Sequence, residues 1–107
     1  MKKILDLLKK YDEVWFWINE DVQEQFYAEL NQIGAMFLNG KPILLEDIRH
    51  CMGISKDFSV GYISNLVWSK TFSSGTTAIK VNYKKYVSGE EDYIYTKPNT
   101  YPISIEE

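Results

Sequence analysis

The chain has 107 residues, of which 45% are hydrophobic, 25% charged and 15% aromatic, and its net charge is −3 with a pI of about 5.2. This composition excludes a disordered chain and a general binder of polyanions, and the length predicts one domain spanning residues 1–107. A single cysteine, Cys51, excludes an internal disulfide, so we expect a cytoplasmic protein.

The first predicted element is a short amphipathic N-terminal helix within residues 1–11, whose apolar run is too short and too charged for a signal peptide or a membrane span. The run "VWFWI" (Val14–Ile18) follows and predicts a strand that is apolar on both sides. Such a strand usually lies inside a sheet that is covered on both faces. We expect Trp15 and Trp17 to pack under one helix and the other three residues under another. The alternative is that one face is open and the tryptophans bind a partner, such as a second copy of the chain.

A long helix is predicted over Glu20–Ile33, because Asn19 is a suitable N-cap and apolar residues recur at helical spacing up to Gly34. A short strand at Ala35–Leu38, a helix at Leu44–Met52 and a strand at Phe58–Ser64 come next.

The second half of the chain predicts a β-hairpin over Leu66–Tyr86, with its tip at Ser74-Gly75. In this register the apolar residues share one face, and the other face is polar and lacks acidic residues. "DYIY" (Asp92–Tyr95) is a candidate edge strand, and residues 94–107 form a loosely ordered tail because Pro98 and Pro102 argue against a central strand. The predicted fold is therefore α+β: a single small domain with a mostly antiparallel sheet of four to five strands, packed by one long and two short helices.

Candidate catalytic groups are sparse in this sequence. His50 and Cys51 are adjacent, so on a helix they would point about 100° apart, which suits neither a zinc site nor a nucleophile–base pair. The carboxylates at Asp12-Glu13 and at Glu90–Asp92 lie at the edges of predicted elements, where solvated charge is the usual state. We therefore expect no catalytic residue, no metal and no cofactor, and a small hydrolase is the least favoured function.

Binding is the favoured class of function. The polar face of the predicted hairpin combines hydroxyl groups with lysines, which suits a phosphate group, and nearby tyrosines supply platforms for bases. The predicted ligand or partner surface comprises Lys80, Lys84, Lys85, Tyr83, Tyr86, Ser69, Thr71, Trp15 and Trp17.

The segments "FYAELNQIGAMFLNGKPI", "VGYISNLVWS" and "IKVNYKKYVSGEEDYI" resemble a pattern of small prophage and mobile-element proteins of Gram-positive bacteria. The pattern is carried by Phe26, Gly34, Asn39-Gly40, Gly61-Tyr62, Asn82-Tyr83, Lys85 and Gly89–Tyr93, with Asn82 standing where the pattern has Asp. The resemblance implies no catalytic residue. It implies a non-catalytic inhibitor of a host or anti-phage defence component, of the anti-CRISPR or signal-sequestering kind. The alternative is a small nucleotide-binding or nucleic-acid-binding module, so the expected partner is a host protein or a phosphate-bearing nucleotide, with no membrane involved.

Overall fold

A computed structural model describes residues 2–70 and 78–95. Within these residues the chain forms a six-stranded sheet and four α-helices. The strands are β1 (Glu13–Trp17), β2 (Met36–Phe37), β3 (Cys51–Ser55), β4 (Ser59–Tyr62), β5 (Ala78–Asn82) and β6 (Ile94–Tyr95). The helices are α1 (Ile4–Leu8), α2 (Gln23–Gln32), α3 (Asn65–Lys70) and α4 (Tyr83–Val87), with 3-10 turns at Glu20–Val22 and Leu45–Asp47. The predicted α+β class is confirmed, with one strand more than the upper end of the prediction.

The sheet is mixed, and its strand order is β2-β4-β3-β1-β5-β6. Neighbours β1–β3, β3–β4 and β5–β6 are antiparallel, whereas β1–β5 and β2–β4 are parallel. Strand β1, which contains the aromatic run, thus pairs with β3 on one edge and with β5 on the other. No helix in the described ranges has the length and the apolar character needed to cross a bilayer.

The first face of β1 lies in the main core. Val14, Phe16 and Ile18 are fully buried there. The Phe16 ring makes edge-to-face contacts with Phe26 of α2, at 5.3 Å between centroids, and with Tyr83 of α4, at 5.8 Å. Because side chains alternate along a strand, these three residues share one face, and that face packs against α2 and α4.

The second face of β1 packs in a smaller group that we call the tryptophan cluster: Trp15, Trp17, Cys51, Ile63, Trp68 and Tyr95. Trp17 and Trp68 meet edge to face with their centroids 5.3 Å apart, and Trp68 is fully buried. Both faces of this strand therefore pack against apolar side chains, as predicted, although Trp15 is only half-buried. The helix that supplies Trp68 is α3, in a segment that the sequence pattern assigned to a strand.

The predicted hairpin over Leu66–Tyr86 is wrong. Its first arm is helical as far as Lys70, in α3, and its second arm is strand only as far as Asn82, while residues 71–77, which include the predicted tip, lie outside the described residues. Side-chain caps explain the two helices: Ser64 Oγ accepts the amide N–H of Val67 at 3.1 Å, and Asn82 Oδ1 accepts that of Lys85 at 3.0 Å. Strand β5 pairs with β1, which is distant in sequence, and Lys80 on one face and Val81 on the other are both buried.

The predicted helix over Leu44–Met52 is also wrong. Only the single 3-10 turn at Leu45–Asp47 forms, stabilised by the Asp47 carboxylate that accepts the Leu44 N–H at 2.9 Å. The chain then enters β3, where Cys51, Met52 and Ile54 are buried between β1 and β4. Sheet pairing on both sides outweighs the helical spacing of this segment. The smaller predictions fare better, since α1, β2, β4 and the edge strand β6 all lie within their predicted segments.

Candidate functional site

Lys80 belongs to the interior and not to a surface. Its side chain is 3% exposed, its ammonium donates a hydrogen bond to the carbonyl oxygen of Trp68, and its Nζ lies 5.4 Å from the centroid of a Trp68 ring. Burial lowers the pKa of this lysine below its ordinary value. Lys80, predicted to lie on the polar face of a hairpin, instead helps to hold α3 against the sheet.

Tyr83 and Tyr86 also face inward. The Tyr83 hydroxyl donates to Oε2 of Glu29, a carboxylate that is 7% exposed and whose Oε1 accepts the Ile4 N–H at 2.7 Å. The Tyr86 hydroxyl donates to the Lys3 carbonyl oxygen at 2.6 Å. Burial raises the pKa of both phenols, and the adjacent Glu29 carboxylate raises that of Tyr83 further. Tyr83 therefore links α4 to α2 and, through Glu29, to the N-terminal segment, whereas Tyr86 links α4 to that segment directly.

Lys84 and Lys85 lie at the surface, but each is engaged with a carboxylate. Lys84 Nζ lies 2.6 Å from Asp21 Oδ2, and Lys85 Nζ lies 3.0 Å from Asp92 Oδ2. These hydrogen bonds lower the pKa of each aspartate. The structure therefore does not bring the three predicted lysines together on one surface.

The other predicted surface residues have mixed positions. Trp17 is 4% exposed, whereas Trp15 is half-buried and donates its indole N–H to Glu13 Oε2 at 2.7 Å. Of the two hydroxyl residues, Ser69 is in α3 and Thr71 lies outside the described residues.

The adjacent pair His50 and Cys51 has an arrangement that disfavours nucleophilic chemistry. His50 Nδ1 lies 3.0 Å from the Ile18 carbonyl oxygen, and because a carbonyl only accepts, Nδ1 carries the hydrogen. The Cys51 side chain is buried in the tryptophan cluster, and burial raises the pKa of its thiol to about 12. A thiol that stays protonated at neutral pH is a poor nucleophile and a poor metal ligand. In the described ranges, moreover, no cluster of three His, Cys, Asp or Glu residues is arranged to hold a metal ion.

A different region has the features of a binding surface, and it is centred on Tyr62. This residue ends β4 on the same face as Val60, yet Val60 is 2% exposed and Tyr62 is 52% exposed. The Tyr62 ring is held by Phe37, at 5.7 Å between centroids, and by the Arg49 guanidinium, at 5.9 Å. A large aromatic side chain is thus both exposed and fixed in position.

Two open cavities share Tyr62 as a wall. The first has a volume of about 550 Å³ and is lined by Arg49, His50, Cys51, Tyr62, Ile63 and Ser64. The second has a volume of about 470 Å³ and is lined by Phe37, Leu38, Asn39, Lys41, Val60 and Tyr62. Leu38 in the second cavity is 84% exposed, although it is apolar. We call the two linings together the Tyr62 surface.

Two further exposed apolar residues lie on α3. Leu66 is 62% exposed and Val67 is 41% exposed, although their neighbour Trp68 is fully buried. They line neither cavity of the Tyr62 surface. This pair therefore provides an internal comparison for the Tyr62 surface.

The sequence offered partial signals for the Tyr62 surface, and the predicted site missed all of them. Leu38 stands directly before the Asn39-Gly40 turn, where an apolar side chain has little chance of burial. Tyr62 was assigned to a strand correctly, but its exposure depends on where the covering layer ends. Arg49 was assigned to a helix, so its proximity to Tyr62 could not be inferred.

Comparison of the chain with protein-family models, with curated proteins and with solved structures finds no match in any of the three.

Proposed function

We propose that this protein is a non-catalytic binding protein that docks a partner protein through the Tyr62 surface. The observation that carries the proposal is a tyrosine, 52% exposed, whose ring is fixed by Phe37 and Arg49 between two cavities. Tyrosine and arginine are enriched among the residues that dominate binding energy at protein interfaces. A ring that is already held in place also loses little side-chain entropy on binding.

A protein fits this surface better than a nucleic acid does. The highly exposed Leu38 contributes apolar surface that a phosphate backbone cannot use. The net charge of −3 opposes non-specific attraction of a polyanion. Lys84 and Lys85, which a nucleic acid would need, are already paired with aspartates.

The biological setting of the proposal comes from the resemblance to small prophage and mobile-element proteins. On that basis the partner is a host protein or a component of an anti-phage defence system, the protein acts as an inhibitor by occupying the partner, and it works in the cytoplasm. This part of the proposal depends on the resemblance alone.

Selection of binders from a random peptide display library tests the proposal and does not require the partner to be identified first. We expect the wild-type protein to enrich peptides whose affinity falls at least tenfold in Tyr62→Ala. Leu66→Ala is the matched control, because it truncates another exposed apolar side chain outside the two cavities, and it should change affinity less than twofold.

Two outcomes would overturn the proposal. Failure to enrich any peptide would contradict a docking surface. Peptides that lose affinity in Leu66→Ala but not in Tyr62→Ala would place the binding site on α3 instead.

A further inference from the structure

The charge of the Tyr62 surface is one-sided. In the part of the chain that the structure describes, its two cavities are lined by two cationic side chains, Arg49 in the first and Lys41 in the second, and by no carboxylate. Among the described residues, no ion pair joins Arg49 or Lys41 to a carboxylate. Glu46 gives Arg49 only its backbone carbonyl, and the Asp47 carboxylate accepts the Leu44 N–H within its own turn. This distribution contrasts with the net charge of −3 for the whole chain.

Arg49 is anchored in a way that leaves part of its guanidinium available. The described hydrogen bonds of Arg49 come from Nη1, which donates to the carbonyl oxygens of Glu46 at 2.7 Å and Ile48 at 3.1 Å. These two bonds fix the plane of the group, while the edge formed by Nε and Nη2 remains for a ligand. That edge matches the two oxygens of a carboxylate, and a pre-positioned fork loses less entropy on pairing than a mobile lysine does.

We propose that the partner docks on the Tyr62 surface with an acidic segment. One carboxylate of the segment pairs with Arg49, a second one lies near Lys41, and an apolar side chain between them packs on Tyr62 and Leu38. This inference rests on the proposed function and adds the chemistry of the partner to it. The argument is charge complementarity: a cation on each side of an exposed apolar centre selects the opposite pattern in the partner.

The test uses the peptides that the display selection enriches. Wild-type protein should enrich Asp and Glu on both sides of an apolar residue, relative to the unselected library. Affinity should fall at least tenfold in Arg49→Glu/Lys41→Glu, and a second selection on that variant should enrich Lys and Arg instead. The matched control is Lys9→Glu/Lys10→Glu, which changes the net charge equally at two exposed positions near α1 and should alter affinity less than twofold.

A milder variant separates the roles of charge and shape. Arg49→Lys keeps the positive charge but removes the planar fork, so we expect its affinity to lie between those of the wild type and the charge-reversed variant. Circular dichroism of each variant establishes that it is folded before its affinity is compared.

The outcomes separate this inference from the proposed function. Peptides that require Tyr62 but show no excess of Asp or Glu would overturn the acidic partner and leave the docking surface in place. Peptides that tolerate Tyr62→Ala would overturn both. Direct binding of a twelve-nucleotide oligothymidine that is tighter than binding of the selected peptides, and is lost in Arg49→Glu/Lys41→Glu, would show that the surface takes a phosphate polymer, which also overturns the inference.

Discussion

The buried carboxylate of Glu29 makes a quantitative prediction for Tyr83→Phe. The Tyr83 hydroxyl donates to Glu29 Oε2, and both side chains are buried. A hydrogen bond to a charged group contributes about 1.5–3 kcal/mol. Because phenylalanine keeps the shape of the ring, we expect the free energy of unfolding to fall by about 2 kcal/mol, which lowers the Tm of a domain of this size by roughly 10 °C.

The assay is urea unfolding followed by tryptophan fluorescence, with Tyr86→Phe as the matched control. Tyr86 donates to a neutral carbonyl, that of Lys3, so its hydroxyl should contribute only about 1 kcal/mol. In a Glu29→Ala background the Tyr83 hydroxyl has already lost its acceptor, so the effect of Tyr83→Phe on the free energy of unfolding should drop below ~0.5 kcal/mol. Equal effects of Tyr83→Phe in both backgrounds, or no effect in either, would refute the reasoning.

Three further predictions concern the interior of the sheet. Burial raises the pKa of Cys51 to about 12 from an ordinary 9.0, so the contribution of the protonated thiol to stability is fully present below pH ~9 and is lost as the pH rises towards the folded value. Cys51→Ala should therefore flatten the decline in urea midpoint between pH 9 and 10, and the native thiol should resist modification by DTNB at pH 8. Lys80→Glu places a buried carboxylate against the Trp68 carbonyl oxygen and should lower the free energy of unfolding by more than ~3 kcal/mol, whereas Lys84→Glu at the surface should leave the urea midpoint nearly unchanged. Similar unfolding curves for the two variants would contradict the burial of Lys80. Gly53→Ala places a Cβ 3.1 Å from atoms of Ile63 and Trp15 and should destabilise by about 1 kcal/mol, while Gly61→Ala on the neighbouring strand meets open space, and a larger loss there than at Gly53 would count against this packing.

The sequence identified the elements whose partners lie close in the chain or whose pattern is unambiguous. The aromatic run of β1 required cover on both faces, and α2 followed from helical spacing and the stop at Gly34, which adopts φ +72°. These inferences needed only local chemistry.

The errors arose where distant pairing decided the structure. Val81 and Lys80 alternate as an apolar and a polar residue, which is typical of a strand with one wet face, yet β5 lies beside β1 and both residues are buried. Lys80 can be buried because its ammonium donates a hydrogen bond to the Trp68 carbonyl oxygen and makes a cation–π contact with a Trp68 ring. Neither partner could be inferred from a local pattern.

The candidate site was missed for a related reason. Tyr62 and Arg49 are thirteen positions apart, and they meet only because β3 and β4 pair with Met52 opposite Tyr62. The sequence pattern assigned Arg49 to a helix, so the register that unites the two residues was not available. The exposure of Tyr62, in turn, depends on where the core ends, and the spacing of apolar residues along the sequence does not predict that boundary.

The most direct test of the central claim is a map of backbone amide chemical shifts in the ¹⁵N-labelled protein as a selected peptide is added. We expect the largest shifts at Tyr62, His50 and Lys41, which line the two cavities, and small shifts across α2 and α4. Shifts concentrated on Lys84, Lys85 and their aspartate partners, with the Tyr62 region unchanged, would contradict the account.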